Sequence, residues 1–198
     1  VSSPQAWVAP TCTGLADLLA AGPPTLWDAP TLCAGWQVRH LVAHLTMAAR
    51  LTPEQFGAEM AAARGDFGVL SDTVAQRDGG LPADDLLAAL RSPRLHGWEP
   101  PGGGALGALS HAVIHSLDVT LALGRPSVAP DGALVAVLDG QIAADGAWFG
   151  TDLTGLRLEA ADAGWSWGEG RTVRADAGAL VSLLAGRTLP DGTVLPRT

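Results

Sequence analysis

The sequence predicts a mainly α protein: a helical bundle over residues 1–150, followed by a small α+β C-terminal domain over 151–198. Three observations carry this reading. Clusters of Gly and Pro divide the first two-thirds of the chain into stretches of helical length. Two of those stretches, about 36–51 and about 105–123, repeat their apolar residues at helical spacing. Beyond residue 150 the pattern changes to the two-residue alternation of a half-buried strand. A length of 198 residues suits one ordinary domain, or one domain with a small appendage.

Taken in order, residues 12–21 form a short apolar helix ended by Gly22-Pro23-Pro24, and Ala29–Gly35 is a loop. A helix runs from about Trp36 to Leu51 and stops near Pro53; an Ala-rich helix follows at 54–63. Pro82-Ala83-Asp84-Asp85 places Pro and two acids in a first turn, so a helix covers 82–91. Pro100–Gly104 is a Gly-rich loop. The helix at about 105–123 is ended by Gly124 and Pro126, and another spans 131–146. Residues 155–161 alternate as a strand, Asp162-Ala163-Gly164 is a turn, and 165–169 with 171–175 complete a small antiparallel sheet. A last helix, about 176–186, ends at Gly186.

Composition excludes several function classes. The formal net charge is −8 and no cluster of cations exists, which argues against a nucleic-acid partner. No apolar stretch reaches the roughly 18 residues of a membrane span, and no secretory leader is readable. The expectation is a cytoplasmic protein in which Cys12 and Cys33 are reduced thiols. The chain has no Lys, Asn or Tyr, and all 12 basic residues are Arg. The missing residues have AT-rich codons, which points to a high-GC genome.

The chemistry-bearing pattern is histidine. His111 and His115 are four apart, so on a helix they lie one turn apart on the same face. Asp118, three residues further, shares that face. The larger apolar residues of this segment spread around its other sides, so the helix is largely buried with a polar stripe among small residues. Buried polar groups need partners, and a divalent metal is a suitable one. A third ligand has to come from another helix. In the segment starting at Trp36, helical geometry puts His44 roughly 115° from the centre of the apolar stripe and His40 roughly 155° away. His44 can therefore flank the core while His40 turns to solvent. The predicted ligand set is His44, His111 and His115. No Ser-His-Asp or Cys-His triad is readable, and the absence of H-E-x-x-H argues against a zinc protease of that type. Trp36, Trp165 and Trp167 are read as packing residues.

The run Thr31-Leu-Cys-Ala-Gly-Trp-Gln-Val-Arg-His-Leu-Val-Ala-His44-Leu resembles the N-terminal signature of mycothiol-dependent maleylpyruvate isomerase-like proteins, in the DinB-like metalloenzyme superfamily. A second similarity is His111-Ala-Val-Ile-His115-Ser-Leu-Asp118. A third, weaker one joins the segment from Gly155 to Trp167 with Leu183-Leu-Ala-Gly-Arg187. The resemblance implies a DinB-like bundle with a small C-terminal domain, and metal ligands at His44, His111 and His115. It also implies an activity-linked position at Arg187, which would bind a carboxylate if it reaches the cleft; Asp118 would orient one imidazole, hold a cavity water or be purely structural. Where maleylpyruvate isomerase-like members often carry Glu, this chain has His111; all-His triads are common elsewhere in the superfamily.

The activity implied is that of a metal-dependent, thiol-utilising enzyme. A divalent metal, zinc, holds mycothiol as a metal-bound thiolate, which attacks a small electrophile. The outcome is S-transfer or cis–trans isomerisation. Mycothiol is the low-molecular-weight thiol of actinobacteria, which fits a high-GC source. The implied partners are the thiol and the electrophile, with no nucleic acid or membrane, in a monomer or homodimer. Two other classes stay open: a metal-binding module without catalysis, and a zinc hydrolase that activates water.

Overall fold

The structure, a computed structural model, describes residues 3–144 and 147–198. Among the described residues are ten α-helices and one three-stranded sheet. The helices are α1 (Val8–Ala20), α2 (Val38–Leu45), α3 (Met47–Arg50), α4 (Pro53–Ala62), α5 (Phe67–Asp78), α6 (Ala83–Leu90), α7 (Pro93–His96), α8 (Gly104–Thr120), α9 (Asp131–Ala143) and α10 (Ala177–Leu184). The strands are β1 (Leu156–Ala160), β2 (Ser166–Gly168) and β3 (Arg171–Ala175). This is the mainly α fold with a small C-terminal α+β part that the sequence predicts.

α8 is the central helix. It packs against α1, α2, α9 and α10, so it is buried on almost every side. Its length and lack of a one-sided apolar stripe follow from that position. α2 lies between α5, α6 and α8, and is itself buried from Leu41 to Leu45.

The predicted helix over 36–51 is in fact two helices. Trp36 and Gln37 are still in the preceding loop, where Gln37 bridges Pro30 in extended conformation. α2 then breaks at Thr46, whose hydroxyl donates back to the Val42 carbonyl at 2.7 Å. Arg50 takes over the end of the helix: Nη2 donates to the Ala43 carbonyl at 2.6 Å and Nε to the Thr46 hydroxyl at 3.2 Å. Side chains thus satisfy the Ala43 carbonyl at the end of α2, and the chain turns two residues after His44. α1 begins at Val8, earlier than expected, because Pro10 falls in its first turn, where no donor is needed. The helix expected at 131–146 ends at Ala143; residues 145 and 146 lie outside the described residues. α5 has no counterpart among the sequence expectations. It is capped by Asp66, whose Oδ1 accepts from the Val69 N–H at 3.1 Å.

The sheet is not wholly antiparallel. Its order is β2-β1-β3, with β1 and β2 antiparallel but β1 and β3 parallel, Leu158 facing Trp167 on one side and Val173 on the other. The chain passes from one edge of β1 to the other within Gly168-Glu169-Gly170. A Cβ on Gly168 would lie 2.3 Å from the Leu156 carbonyl oxygen, and one on Gly170 would lie 2.2 Å from that of Gly155. Both glycines also have positive φ, +76° and +125°. Only glycine allows this crossing, and alternation of apolar residues alone does not reveal it.

One hydrophobic core runs from Val8 on α1 to Leu195, and includes Leu156 and Leu158 of β1 and Leu180, Val181, Leu183 and Leu184 of α10. Gln141 Nε2 donates to the Val181 carbonyl at 3.1 Å, and the Thr151 hydroxyl to the Leu184 carbonyl at 3.0 Å, tying α9 and the start of the C-terminal part to α10. Among the described residues no helix is long and apolar enough to cross a membrane.

Candidate metal centre

α8 presents His111 and His115 one turn apart, on the side that faces α2. α2 supplies His44 from its last turn, just before the break at Thr46. The three rings form a near-equilateral triangle. Centroid separations are 5.0 Å for His44–His111 and 4.8 Å for both His44–His115 and His111–His115, with interplanar angles of 75° to 88°. One nitrogen of each ring lies within 4.8 Å of the others, and His44 Nε2 is 3.0 Å from His111 Nε2. A tetrahedral metal with the usual metal–nitrogen bond lengths needs its nitrogens about 3.3 Å apart. The donor set therefore fits a divalent ion with little movement.

Protonation favours the same use. Burial, and then the neighbouring His115 and His111, hold the His44 imidazole well below its ordinary range. Burial and His115 push His111 down to about 3. Both rings are neutral at pH 7, so each has a lone pair to give. His44 Nδ1 is buried without a hydrogen-bond partner. That ring is thus oriented by its packing, with Trp36 at 5.1 Å, and by what its Nε2 meets.

His115 is oriented differently. Its Nδ1 lies 3.0 Å from Asp118 Oδ2, which leaves Nε2 as the free nitrogen. Asp118 is completely buried and receives further donors. Arg187 Nε donates to Oδ1 at 2.7 Å and Nη2 to Oδ2 at 2.9 Å. The Cys33 thiol, raised to about 12 by burial and Asp118 against the opposing pull of Arg187, stays protonated and donates to Oδ2 at 3.1 Å. Burial opposes ionisation of Asp118, but the bonds from His115 and Arg187 prevail and hold it far below the usual carboxylate range. Cys33, His115 and Asp118 also lie close enough to form a ligand set. Their hydrogen bonds to one another and to Arg187 instead make them the support of His115.

Local folding explains how such distant residues meet. α10 ends in a Schellman motif: Gly186, at φ +73°, lets the Arg187 N–H bond to the Ser182 carbonyl at 3.0 Å, and this turns the Arg187 side chain back towards α8. Cys33 comes from the loop before α2, which is pinned to α8 by the Leu32 N–H on the Asp118 carbonyl at 3.0 Å.

The triad lies in a cleft of about 1000 Å³, lined also by Arg187 and, mostly, by apolar residues such as Met47, Leu51, Phe56, Met60, Phe67 and Trp98. All five predicted site residues are thus brought together: His44, His111 and His115 at the cleft, Asp118 beneath His115, Arg187 on Asp118. His40 stands apart. It is half-buried rather than turned to solvent, and its Nδ1 accepts from the Gln37 N–H at 3.1 Å as part of the start of α2. Trp36 touches the site through His44 and donates to Asp72 Oδ1 at 2.9 Å. Cys33 and Trp98 have no signal in spacing, since their contacts to α8 depend on loops.

Residues 8–96 match the family model described as the mycothiol maleylpyruvate isomerase N-terminal domain. The crystal structure of a histidine-to-alanine variant of mycothiol-dependent maleylpyruvate isomerase is similar over 98% of this chain and 95% of that one, at 16% identity and a TM-score of 0.55. A second crystal structure of that isomerase covers the same shares at 16% identity with a TM-score of 0.46. No curated protein matches the chain. The structural likeness carries the fold, a DinB-like bundle with its C-terminal α+β part. Residues 8–96 thus resemble the N-terminal domain of mycothiol-dependent maleylpyruvate isomerase, and the likeness of fold extends over nearly the whole chain.

Proposed function

We propose that the protein is a metal-dependent enzyme that uses mycothiol to modify a small electrophile, by S-transfer or by cis–trans isomerisation. The observation that carries this reading is the convergence of three imidazoles, two of them held neutral, in the lining of a large cleft. His44, His111 and His115 would hold the ion, with zinc the first candidate because three nitrogen ligands and an open position suit it. When bound, the metal supplies the positive charge that favours the thiolate form of a thiol.

The chain's own residues supply the rest. Asp118 keeps the proton of His115 on Nδ1, and so fixes its tautomer. Arg187, with two bonds to the carboxylate, holds Asp118 in place. The apolar walls keep water from competing with the thiol. In addition to a conjugated double bond, a carbon–sulfur bond forms at one alkene carbon, the π bond breaks, and the thiol proton ends on the other carbon. Isomerisation reverses that step after rotation. In this reading residues 1–150 carry the triad, residues 151–198 contribute Arg187, and the protein works in the cytoplasm of an actinobacterium.

Elemental analysis tests the triad. The expected result is about one divalent ion per chain in the purified protein and a loss of most of it in His44→Ala and His111→Ala. Unchanged metal in both variants would falsify the ligand set. Mass spectrometry with mycothiol and a panel of electrophiles tests the reaction. Retained metal without conjugate or isomer favours a binding module, and turnover that ignores added thiol favours a hydrolase.

A further inference from the structure

We infer that the cleft accepts a long, apolar electrophile rather than a small dicarboxylate; its role as the reacting substrate rests on the reading of the triad given above. The wall built by α3, α4, α5 and the turn between α3 and α4 shows the cleft Met47, Leu51, Phe56, Met60 and Phe67, with no charged side chain. Aromatic rings complete the enclosure, among them Trp148. Phe67 and Trp148 are 52% and 63% exposed, and both of these unusually bare rings face the same cleft. Exposed apolar surface gathered in one concave site marks a place where an apolar partner is covered.

Charge points the same way. A dicarboxylate needs cationic partners for both ends when water is removed. Arg187 is committed through Nε and Nη2 to Asp118. The other arginine lining the cleft, Arg94, is exposed, donates to the Leu51 carbonyl at 2.6 Å, and shares the cleft with the oppositely charged Glu99. Away from the triad, the lining therefore offers no surplus of positive charge for two carboxylates. A volume of about 1000 Å³ is at the upper end of small-molecule sites and more than a short diacid fills.

The test uses zinc-loaded protein and two probe series. Calorimetry measures binding of the unreactive 2-alkanones from butanone to 2-nonanone, with maleate for comparison. Affinity is expected to rise roughly threefold to fourfold per methylene, and maleate to bind more weakly than 2-nonanone. Phe67→Ser with Trp148→Ser, at exposed positions on which the core does not depend, should keep the metal and flatten the rise. A flat series, a rise that the double variant leaves unaltered, or tighter binding of maleate overturns the inference, even if small electrophiles are conjugated. Mass spectrometry then follows mycothiol with 3-nonen-2-one. Conjugate formation supports the apolar substrate. A clear rise with chain length but neither conjugate nor isomer upholds apolar occupancy and sinks the thiol-enzyme reading instead.

Discussion

At Asp118 a single buried carboxylate takes bonds from His115, Arg187 and Cys33. Its solvation by water has been replaced entirely by these donors, so the loss of the strongest is costly. Arg187→Met should destabilise the protein by about 3–5 kcal/mol, the usual range for leaving one partner of a buried pair uncompensated. Arg187→Lys should recover only part, because an ammonium cannot make the paired Nε and Nη2 bonds. Urea denaturation monitored by circular dichroism measures both; a loss below about 1 kcal/mol in Arg187→Met would place the pair with ordinary surface ion pairs. Individual residues differ in how far spacing reveals them. The angular positions of His44 and His40 on one helix are enough to separate a ring at the core from one away from it. Cys33 is invisible to such reasoning, because its bond to Asp118 spans 85 residues and depends on how one loop docks on α8.

Among the elements, α5 is the one least legible in the sequence. Its buried residues, Leu70, Ser71, Val74, Ala75 and Asp78, mix small and polar types, while Phe67 and Val69 are exposed, so the apolar period is blurred. Charge instead anchors it. Asp78, at its C-terminal end, pairs with Arg50 of α3 and Arg77, and Arg77 reaches Glu59 of α4. The same Arg50 caps α2 at Ala43, so this network also maintains the break that turns the chain after His44. Burial opposes ionisation of Asp78, but the hydrogen bonds from Arg77 and Arg50 outweigh it and keep its carboxyl below the ordinary range. A carboxylate with a depressed folded-state pKa contributes stability that is present above about pH 4, the unfolded value, and is lost as pH falls through the lower folded value. Thermal melts between pH 2.5 and 6 should therefore show a steeper fall of Tm below about pH 4 in the wild type than in Asp78→Asn, which should be less stable at pH 6. Parallel curves would remove Asp78 from the acid response.

For the whole molecule, the question is whether the C-terminal part stands alone. A change of period near residue 150 is what leads the sequence reading to expect a boundary there. The amount of core shared across it is not legible, because that depends on where α10 packs. α10 is almost wholly buried, and its side chains join the same core as α1, α8 and α9. Gly178 sits so close to α8 that a Cβ there would meet Leu117 Cδ2 at 2.8 Å. Trp165, between β1 and β2, donates to Asp139 Oδ1 of α9 at 2.9 Å. Two units that share this much core cannot separate without exposing it, so they should unfold together. Leu180→Ala, at a fully buried position on α10, should cost about 2–5 kcal/mol. That cost should shift helix loss, followed by far-ultraviolet circular dichroism, and the tryptophan signal by the same amount, in one transition with coincident midpoints. A variant whose C-terminal part melts first, leaving the helices of the bundle at their wild-type midpoint, would show that α10 covers the bundle without stabilising it. Arg187, carried on the end of α10, would then reach Asp118 only while that cover stays closed.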